Sequence, residues 1–368
     1  MKKIKKSHII ISILLLIVIV FAILIQTNPN ISYFFLKLVN PDFDKKSITF
    51  EKADYYGFET IENGIVAAYR DNIKIYNDEL DEKETISVSG VDPNVKTSGK
   101  NMIVFYPTEN KAFVKIDSKT LNIATPYYIL NATINKNGYH ALITEEKGFK
   151  SQVIVRDNKG TEIYKWHSSD YYITDVSISD DNKHMVLTAL TTDADKIKSS
   201  IMVFSFTEEK PISQISKTDL TFISASFVDK NKIAIIADKK SGVYNMNLSP
   251  VWEDDYSQKQ LFTYSADNKN IILVYGNTKS ASEKVSVKIY SPSGNLKGEF
   301  IHNGEIIGID TLGNSIIAYG KRNIYSLSQN GKVKKQLDLN VDILHAFIVK
   351  NGVFVVSNSV GKIYYMRW

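Results

Sequence analysis

The stretch "YYITDVSISDDNKHMVLT", residues 171–188, decides the fold, because the chain contains a second copy of it. "YYILNATINKNGYHALIT", residues 127–144, aligns with it without a gap at a constant offset of 44. The alignment places Asp180, Asp181 and Asn182 opposite Lys136, Asn137 and Gly138. A calcium loop needs carboxylates at alternate positions and cannot exchange them for lysine. Asp-Asp-Asn therefore predicts a turn between two strands, which Asn and Asp favour, and not a metal site.

Short apolar runs recur along the chain at similar intervals. They begin at Ile65, Ile103, Ala141, Met185, Ile233, Ile271, Ile316 and Val353, with spacings of 38, 38, 44, 48, 38, 45 and 37 residues. Most are followed by a segment with the two-residue alternation of a half-buried strand, which ends in Asn, Asp, Ser or Gly. About four strands in about 40 residues is the pattern of a propeller blade. The sequence therefore predicts an all-β fold, a β-propeller of eight four-stranded blades.

The last unit, from residue 343 to the C-terminus, supplies three strands only. An unpaired sheet edge promotes aggregation, and the alternating segment "SITFEK", residues 47–52, has no partner in the first unit. We predict that strand 47–52 pairs with the last blade and closes the ring. Seven blades is the alternative, if the variable unit around residues 243–255 is not a complete blade.

The N-terminus predicts a membrane anchor. "MKKIKK" precedes residues 9–25, which are apolar except for Ser12 and would span roughly 25 Å as a helix. Lysines before this run place the N-terminus inside. The predicted organisation is a cytoplasmic basic N-terminus (1–8), a transmembrane signal-anchor helix in the lipid bilayer (9–26), a juxtamembrane linker (27–45) and an extracytoplasmic propeller (46–368). A cleavable signal peptide is the alternative, but no small-x-small cleavage site follows the run.

Two resemblances agree with this organisation. The form Ser-x-Asp-x-Lys-x-apolar, seen at residues 179–185, resembles the repeats of TolB-like and WD-repeat-like bacterial propellers, as a loose pattern over residues 46–368. A short anchor followed by a degenerate propeller resembles a domain-of-unknown-function family of membrane-anchored propellers in Gram-positive bacteria. The resemblance implies the fold and the topology and carries no assigned activity.

Composition narrows the function. Residues 1–40 contain five lysines and no acidic residue, which leaves 40 basic and 40 acidic residues in the remainder. A neutral body argues against nucleic-acid binding, which needs a concentrated basic face. The chain has no cysteine, its six histidines have no zinc-ligand spacing, and phosphate-binding glycine loops and nucleophile elbows are absent from the sequence. We therefore predict no cofactor, no metal and no catalytic residue, and favour a binding protein over an enzyme.

Paired tyrosines mark the candidate ligand site. They stand at the entry to the first strand of three units, and the third pair follows "KWHSSD". The candidate residues are Tyr55, Tyr56, Tyr127, Tyr128, Trp166, His167, Asp170, Tyr171 and Tyr172. Connections into the innermost strands surround one mouth of a propeller channel, where tyrosine suits sugars or peptides. Packing of these rings between blades is the alternative.

These patterns predict a binding or scaffold module at the bacterial cell envelope, with an envelope protein or glycan as partner. One alternative is an envelope glycan hydrolase or lyase that acts at the channel mouth. Another is a sensor or assembly factor for a second membrane protein, which would expose an apolar patch.

Overall fold

The computed structural model describes residues 46–366 apart from 52–54, 63, 89, 108 and 278–283, together with eight helical residues nearer the N-terminus (15, 16, 18–20, 31, 34 and 38). The side chains of Tyr55 and Tyr56 are not among the described groups. Apart from those eight residues, the predicted anchor (9–26) and linker (27–45) lie outside the described residues. Among the helical residues that are described, none forms a helix with the length and apolar character needed to cross a bilayer.

Within the described residues, 32 strands follow one another along the chain. The first sixteen are β1 (Ser47–Thr49), β2 (Tyr55–Ile61), β3 (Gly64–Tyr69), β4 (Asn72–Asn77), β5 (Glu82–Ser87), β6 (Asn94–Ser98), β7 (Asn101–Phe105), β8 (Lys111–Ile116), β9 (Lys119–Ala124), β10 (Ile129–Ile134), β11 (His140–Glu146), β12 (Phe149–Arg156), β13 (Glu162–Ser168), β14 (Tyr172–Ile178), β15 (His184–Asp193) and β16 (Lys196–Ser205). The others are β17 (Ser213–Lys217), β18 (Phe222–Asp229), β19 (Lys232–Ala237), β20 (Lys240–Asn245), β21 (Pro250–Asp255), β22 (Gln260–Ala266), β23 (Ile271–Gly276), β24 (Lys284–Tyr290), β25 (Leu296–Asn303), β26 (Gly308–Leu312), β27 (Ser315–Tyr319), β28 (Asn323–Leu327), β29 (Val333–Asp338), β30 (His345–Val349), β31 (Gly352–Val356) and β32 (Val360–Tyr365).

These strands form eight four-stranded antiparallel sheets, which are the blades of a β-propeller. Blades one to seven each take four consecutive strands, from β2–β5 to β26–β29, and blade eight has the order β1-β32-β31-β30. The prediction of eight blades is confirmed. The seven-blade alternative is wrong, because the variable unit around residues 243–255 supplies β20 and β21, the last two strands of blade five.

The recurring apolar runs form the second strand of every blade. β7, β23 and β31 are buried along their whole length, because a second strand has a neighbouring blade on each of its two faces. The outermost strands β5, β21 and β29 instead alternate between exposed and half-buried residues. Continuous apolar runs and alternating segments in the sequence therefore correspond to inner and outer positions in a blade.

The hydrophobic core is divided into wedges between adjacent blades. One wedge joins Ile143 and Val155 of blade three to Ile173, Met185 and Phe204 of blade four. Other wedges join blade seven to blade eight and blade eight to blade one. Each blade is stabilised by burial against both neighbours, so the ring holds together without a single central core.

The two ends of the disc differ in their connections, because successive strands run in opposite directions. In blade four, the turns over residues 179–183 and 206–212 lie at one end, which we call the turn face. The segments 169–171, which enters the blade, and 194–195, between its second and third strands, lie at the other end, the loop face. The chain enters blade eight at the turn face, where the Lys46 ammonium lies 2.5 Å from the Asp81 carboxylate in a turn of blade one.

The strand that completes blade eight comes from the start of the propeller. Ser47, Ile48 and Thr49 pair antiparallel with Lys362, Gly361 and Val360. Ile48 is buried with Phe58 of blade one and Phe354 of blade eight, while both of its neighbours in β1 are exposed. Ile48, the buried Phe50 that follows it and a three-residue ladder thus join the start of the propeller to its last blade.

Candidate functional site

The Asp-Asp-Asn stretch at residues 180–182 is a turn, as predicted. It joins β14 to β15, and Asn182 takes the left-handed conformation with φ of 60°, which Asn tolerates better than most residues. The Asp181 carboxylate accepts hydrogen bonds from the Lys183 amide at 3.1 Å and the Ser179 hydroxyl at 2.6 Å. These contacts occupy the carboxylate within its own turn. In the part of the chain that the structure describes, no three His, Asp or Glu side chains form a metal-binding group.

Equivalent turns of adjacent blades are hydrogen-bonded to each other on the turn face. The Asn135 amide of blade three donates to the Ser179 carbonyl at 3.1 Å and to the Asn182 side chain at 2.7 Å. The Asn137 amide donates to the Asp180 carbonyl at 2.7 Å, and Lys136 pairs with the Asp180 carboxylate at 2.5 Å. At this junction the polar turn residues therefore link blades three and four, and their side chains are already engaged.

The predicted aromatic residues take different positions. Trp166 is half-buried against Phe204, with 4.7 Å between ring centroids, and the half-buried Tyr171 packs on the same wedge while its hydroxyl accepts from Gln214 at 2.8 Å. Tyr127 is half-buried, whereas Tyr128 and Tyr172 are 53% and 56% exposed. Tyr55 and Tyr56 are placed by their backbone alone, at the loop-face end of β2.

On the loop face, His167 forms one set of contacts, and Asp170 and Tyr172 share a second, in each case with partners that the sequence did not single out. The His167 ring packs on Phe149 at 5.0 Å and its Nδ1 contacts the Glu146 carboxylate. The Lys150 ammonium lies 5.1 Å from the centre of the Tyr172 ring and donates to the Asp170 carbonyl at 3.1 Å. We call Phe149, Lys150, His167, Asp170 and Tyr172 the aromatic cluster.

Exposed apolar side chains surround the loop-face mouth of the channel. In blades one, three, four, five and six the pairing of first and second strands shifts by one residue, which leaves an extra residue in the innermost strand: Tyr56, Leu130, Thr174, Ile223 or Phe262. Such bulges redirect side chains and occur at rims and binding sites. Leu130, Ile223 and Phe262 are exposed, as are Ile307 and Leu344 at the starts of the innermost strands of blades seven and eight. We call these five residues the collar.

A polar belt lies deeper in the channel, on the innermost strands. Its members are Glu59, Lys96, Asn131, Asp175, Ser224, Tyr264 and Asp310. The Lys96 ammonium donates to the Asn131 side-chain oxygen at 2.9 Å and lies 3.6 Å from the Asp175 carboxylate. The Asn131 amide in turn donates to the Thr174 carbonyl at 2.9 Å. Side chains from blades two, three and four therefore form one polar network.

The carboxyl groups of the belt are perturbed by partial loss of hydration. Burial, then the nearby Asp310, raises the pKa of Glu59 to about 7 against the weaker opposing effect of Lys96. Burial raises the pKa of Asp310 to about 6, although the Ile348 amide donates to its carboxylate at 2.6 Å. Burial also raises the pKa of the Tyr264 phenol, against a hydrogen bond with Ser224. Protein-lined channels impose this cost on charges because hydration is incomplete.

The collar and the belt were missed by the sequence reasoning, although a signal for the belt was present. The repeat alignment at offset 44 places Asn131 opposite Asp175, so both repeats have a polar residue at this position of the first strand. The first strands of three other units are also interrupted by a charged residue: Glu59, Lys96 and Asp310. A polar residue at the middle of an innermost strand faces the channel. The bulges that supply three of the five collar residues have no comparable sequence signal.

A family model matches residues 44–365 of this chain, and its description is a family of unknown function, DUF5711. No curated protein matches the sequence.

Solved β-propellers resemble the fold at low sequence identity. BamB from Moraxella catarrhalis is 12% identical, with a TM-score of 0.52, over 87% of this chain and 98% of that one. Chaetomium thermophilum Sqt1, bound to the N-terminus of the ribosomal protein L10, is 10% identical, with a TM-score of 0.56 and the same two coverages. The C-terminal WD40 domain of Sif2 is 13% identical, with a TM-score of 0.51, over 72% of this chain and 78% of that one. At these identities the likeness extends to the fold alone.

Proposed function

The chain belongs to this family of unknown function, and we propose that it is a membrane-tethered binding module that presents the loop face of its propeller to a protein of the cell envelope. The observation that carries the proposal is the collar, in which Leu130, Ile223, Phe262, Ile307 and Leu344 from five blades expose apolar surface around one mouth. Exposed apolar side chains at the same end of five blades mark an interaction site more strongly than scattered surface residues. The aromatic cluster extends that surface over blades three and four.

The place where the chain enters the propeller supports a loop face that points away from the membrane. Lys46 lies at the turn face, next to Asp81, and the predicted anchor precedes it in the sequence. A tether there leaves the opposite end of the disc, with the collar and the aromatic cluster, free to meet a partner.

A protein is the partner that the surface favours. The collar is aliphatic except for Phe262, and aliphatic rims bury apolar side chains of other proteins. The aromatic cluster adds a ring with a cation above it, an arrangement that also occurs at protein interfaces. Sqt1, a propeller of similar fold, is bound to the N-terminus of another protein, which gives a precedent for the fold.

Photocrosslinking in intact cells tests the proposal. A photoreactive phenylalanine analogue replaces Phe262 in the collar, and, as a matched control, Ile301 on the outermost strand of the same blade, which is 55% exposed. We expect a discrete crosslinked protein species from position 262 and none from position 301. The Phe262→Ser variant should compete only weakly with this crosslinking. Removing an aromatic anchor that is buried in an interface commonly costs about 2 kcal/mol or more of binding free energy, which is a roughly 30-fold loss of affinity.

Equal crosslinking from both positions, or from neither, contradicts docking on the collar. If position 301 alone gives a crosslinked species, the partner binds the outer rim of the disc and not the collar.

The carboxyl groups of the belt favour a second candidate function, glycan hydrolysis in the channel. Glu59 and Asp310 interact, and their raised pKa values, about 7 and about 6, suit a general acid near neutral pH. In that case peptidoglycan fragments are cleaved by the wild-type protein, and Glu59→Gln abolishes cleavage without unfolding the chain. Absence of any turnover by the folded wild-type protein removes this candidate.

A further inference from the structure

A cleft of about 310 Å³ lies between blades one and two, at their loop-face end and near the rim of the disc. Val88, on the segment that enters blade two, and Phe113 of β8 supply its apolar walls. Both side chains also pack on the buried wedge that joins the two blades. The exposed Ser87 and Asn122 lie at its edge, so the cleft opens to solvent. Its size is at the lower end of the range of ligand sites, about 300–1,000 Å³, which fits a small ligand.

The side chains of blade two that line the cleft share one side of their sheet. Lys111 pairs with Ala124, and Phe113 pairs with Asn122, in the neighbouring strands β8 and β9. These positions are two residues apart along each strand, so the four side chains point the same way. Phe113 packs with Tyr106 on the wedge toward blade one, which identifies the side that the cleft occupies.

Tyr106 lines this cleft with a phenol that lacks a hydrogen-bond partner. The residue is 3% exposed, and within the described part of the chain no group pairs with its buried oxygen. Gly90 fixes the position of the ring, because any Cβ at that residue would overlap it. A buried hydroxyl without a partner costs free energy, which a hydrogen-bond acceptor on a bound molecule would recover.

The charges beside the cleft balance each other. The Lys111 ammonium lies 5.6 Å from the centre of the Tyr106 ring and 3.1 Å from the Glu109 carboxylate. The Val91 amide donates to the other oxygen of that carboxylate at 2.8 Å, which holds the ion pair beside the ring. Glu109 would repel an anion and Lys111 a cation, so the molecule that fits is neutral.

We propose that this cleft binds a small neutral molecule with an apolar ring and one carbonyl group, and that the carbonyl accepts a hydrogen bond from the Tyr106 phenol. The ring of the ligand packs between Val88 and Phe113, where an aromatic ring gains more than its buried area alone provides. Ligand sites commonly combine apolar walls with a few polar groups that orient the bound molecule. The site is separate from the collar, so it is a second function of the propeller.

Fluorine NMR of the full-length protein in detergent tests the cleft with a matched pair of probes. The ketone 4-fluoroacetophenone carries the carbonyl, and the hydrocarbon 4-fluoro-isopropylbenzene has a similar shape without an acceptor. We expect saturable line broadening for both, with the ketone bound about tenfold more tightly, because only the ketone pairs with the buried phenol. The Ala124→Trp variant, in which an indole fills the cleft from an exposed position, measures the background from the detergent.

The Tyr106→Phe variant separates recognition of the ligand from packing of the ring. It removes only an unpartnered hydroxyl, so its melting temperature without ligand should equal or exceed that of the wild type. It should bind the ketone and the hydrocarbon with equal affinity. Tyr128→Phe, at an exposed tyrosine outside the cleft, is the matched control and should keep the tenfold preference for the ketone.

Four outcomes overturn the inference: no saturable binding of the ketone, equal affinity of the wild type for ketone and hydrocarbon, a preference that survives Tyr106→Phe, or tighter binding of 4-fluorobenzoate than of the ketone. The last outcome would assign the cleft to an anion, with Lys111 as its partner. None of the four bears on the crosslinking from position 262, because the cleft shares no residue with the collar.

Discussion

Glu59 is a carboxyl group whose environment should make stability depend on pH. Its pKa is about 7 in the folded chain, against 4.5 ordinarily, so between these values the folded state holds a proton that the unfolded state has released. The free energy of unfolding therefore falls as pH rises from about 5 to 7, and the cost is complete above 7. Asp310, with a pKa of about 6, acts in the same direction.

The Glu59→Gln variant checks this sign. Glutamine is neutral at every pH, so we expect the variant to be more stable than the wild type at pH 8, by about 1–3 kcal/mol, and nearly equal to it at pH 5. Urea unfolding followed by tryptophan fluorescence at both pH values measures the difference. An identical effect at the two pH values refutes the assigned protonation.

Asn182 combines a left-handed backbone with contacts between blades. Asn182→Ala should cost about 1–2 kcal/mol of unfolding free energy, since alanine is strained at positive φ and the acceptor for Asn135 is lost. Asn182→Gly should cost less, because it removes only the side chain. Asn268→Ala, in an exposed turn position of blade six, serves as the control and should stay within about 0.5 kcal/mol. A cost for Gly equal to that for Ala would assign the effect to the hydrogen bonds alone.

For single residues, the sequence predicts features that depend on neighbours in the chain and misses those that depend on contacts between blades. The turn at residues 180–182 was predictable, because Asx chemistry acts within a few residues. The positions of Trp166 and Tyr171 in the wedge between blades three and four were not, because the side of a strand that meets the next blade depends on register. The network of Lys96, Asn131 and Asp175 joins three consecutive blades, and no local pattern states which side chains of their innermost strands meet.

Strand β1 pairs with β32 and so completes the last blade of the ring. Ile48 alone of its three residues is buried, packed with Phe58 and Phe354. Ile48→Ala should lower the free energy of unfolding by about 2–4 kcal/mol, while Thr49→Ala, at the exposed neighbouring position, should change it little. Hydrogen exchange of the amides in β32 should rise with Ile48→Ala and not with Thr49→Ala. Unchanged exchange in β32 would mean that the other strands hold the last blade closed.

The number and type of elements followed from the sequence, and their lengths did not. Eight apolar runs predict eight second strands, because a strand buried on both faces has to be apolar throughout. The alternation in residues 47–52 predicts a strand, and of residues 47–51, which the structure describes, 47–49 form one. β15 and β16 extend to ten residues each, because the pairing between them continues to Asp193 and Lys196. The 48-residue spacing after Met185 indicates a longer unit, but not that the extra residues lengthen these two strands.

For the whole molecule, the absence of cysteine from the sequence allows a direct test of the proposed placement. Tyr128→Cys on the loop face and Asn268→Cys on the turn face each introduce a single cysteine at an exposed position. If the propeller lies outside the membrane, a membrane-impermeant maleimide should label both in intact cells. Labelling of the loop face should also decrease when a partner occupies it, while labelling of Asn268 should not. Labelling that appears only after lysis contradicts an extracytoplasmic propeller.

The closure of blade eight has a consequence for biosynthesis. Ile48 faces Gly361, which is synthesised about 310 residues after it. At about 5–20 residues per second, the ribosome needs roughly 15–60 s to make the intervening chain. During that time the earlier blades can form in order, but β1 has no partner, and blade one has no neighbour on one side. The nascent chain therefore carries an unpaired strand until residues 360–362 have been made, and chaperones that shield unpaired strands would act on it throughout that interval.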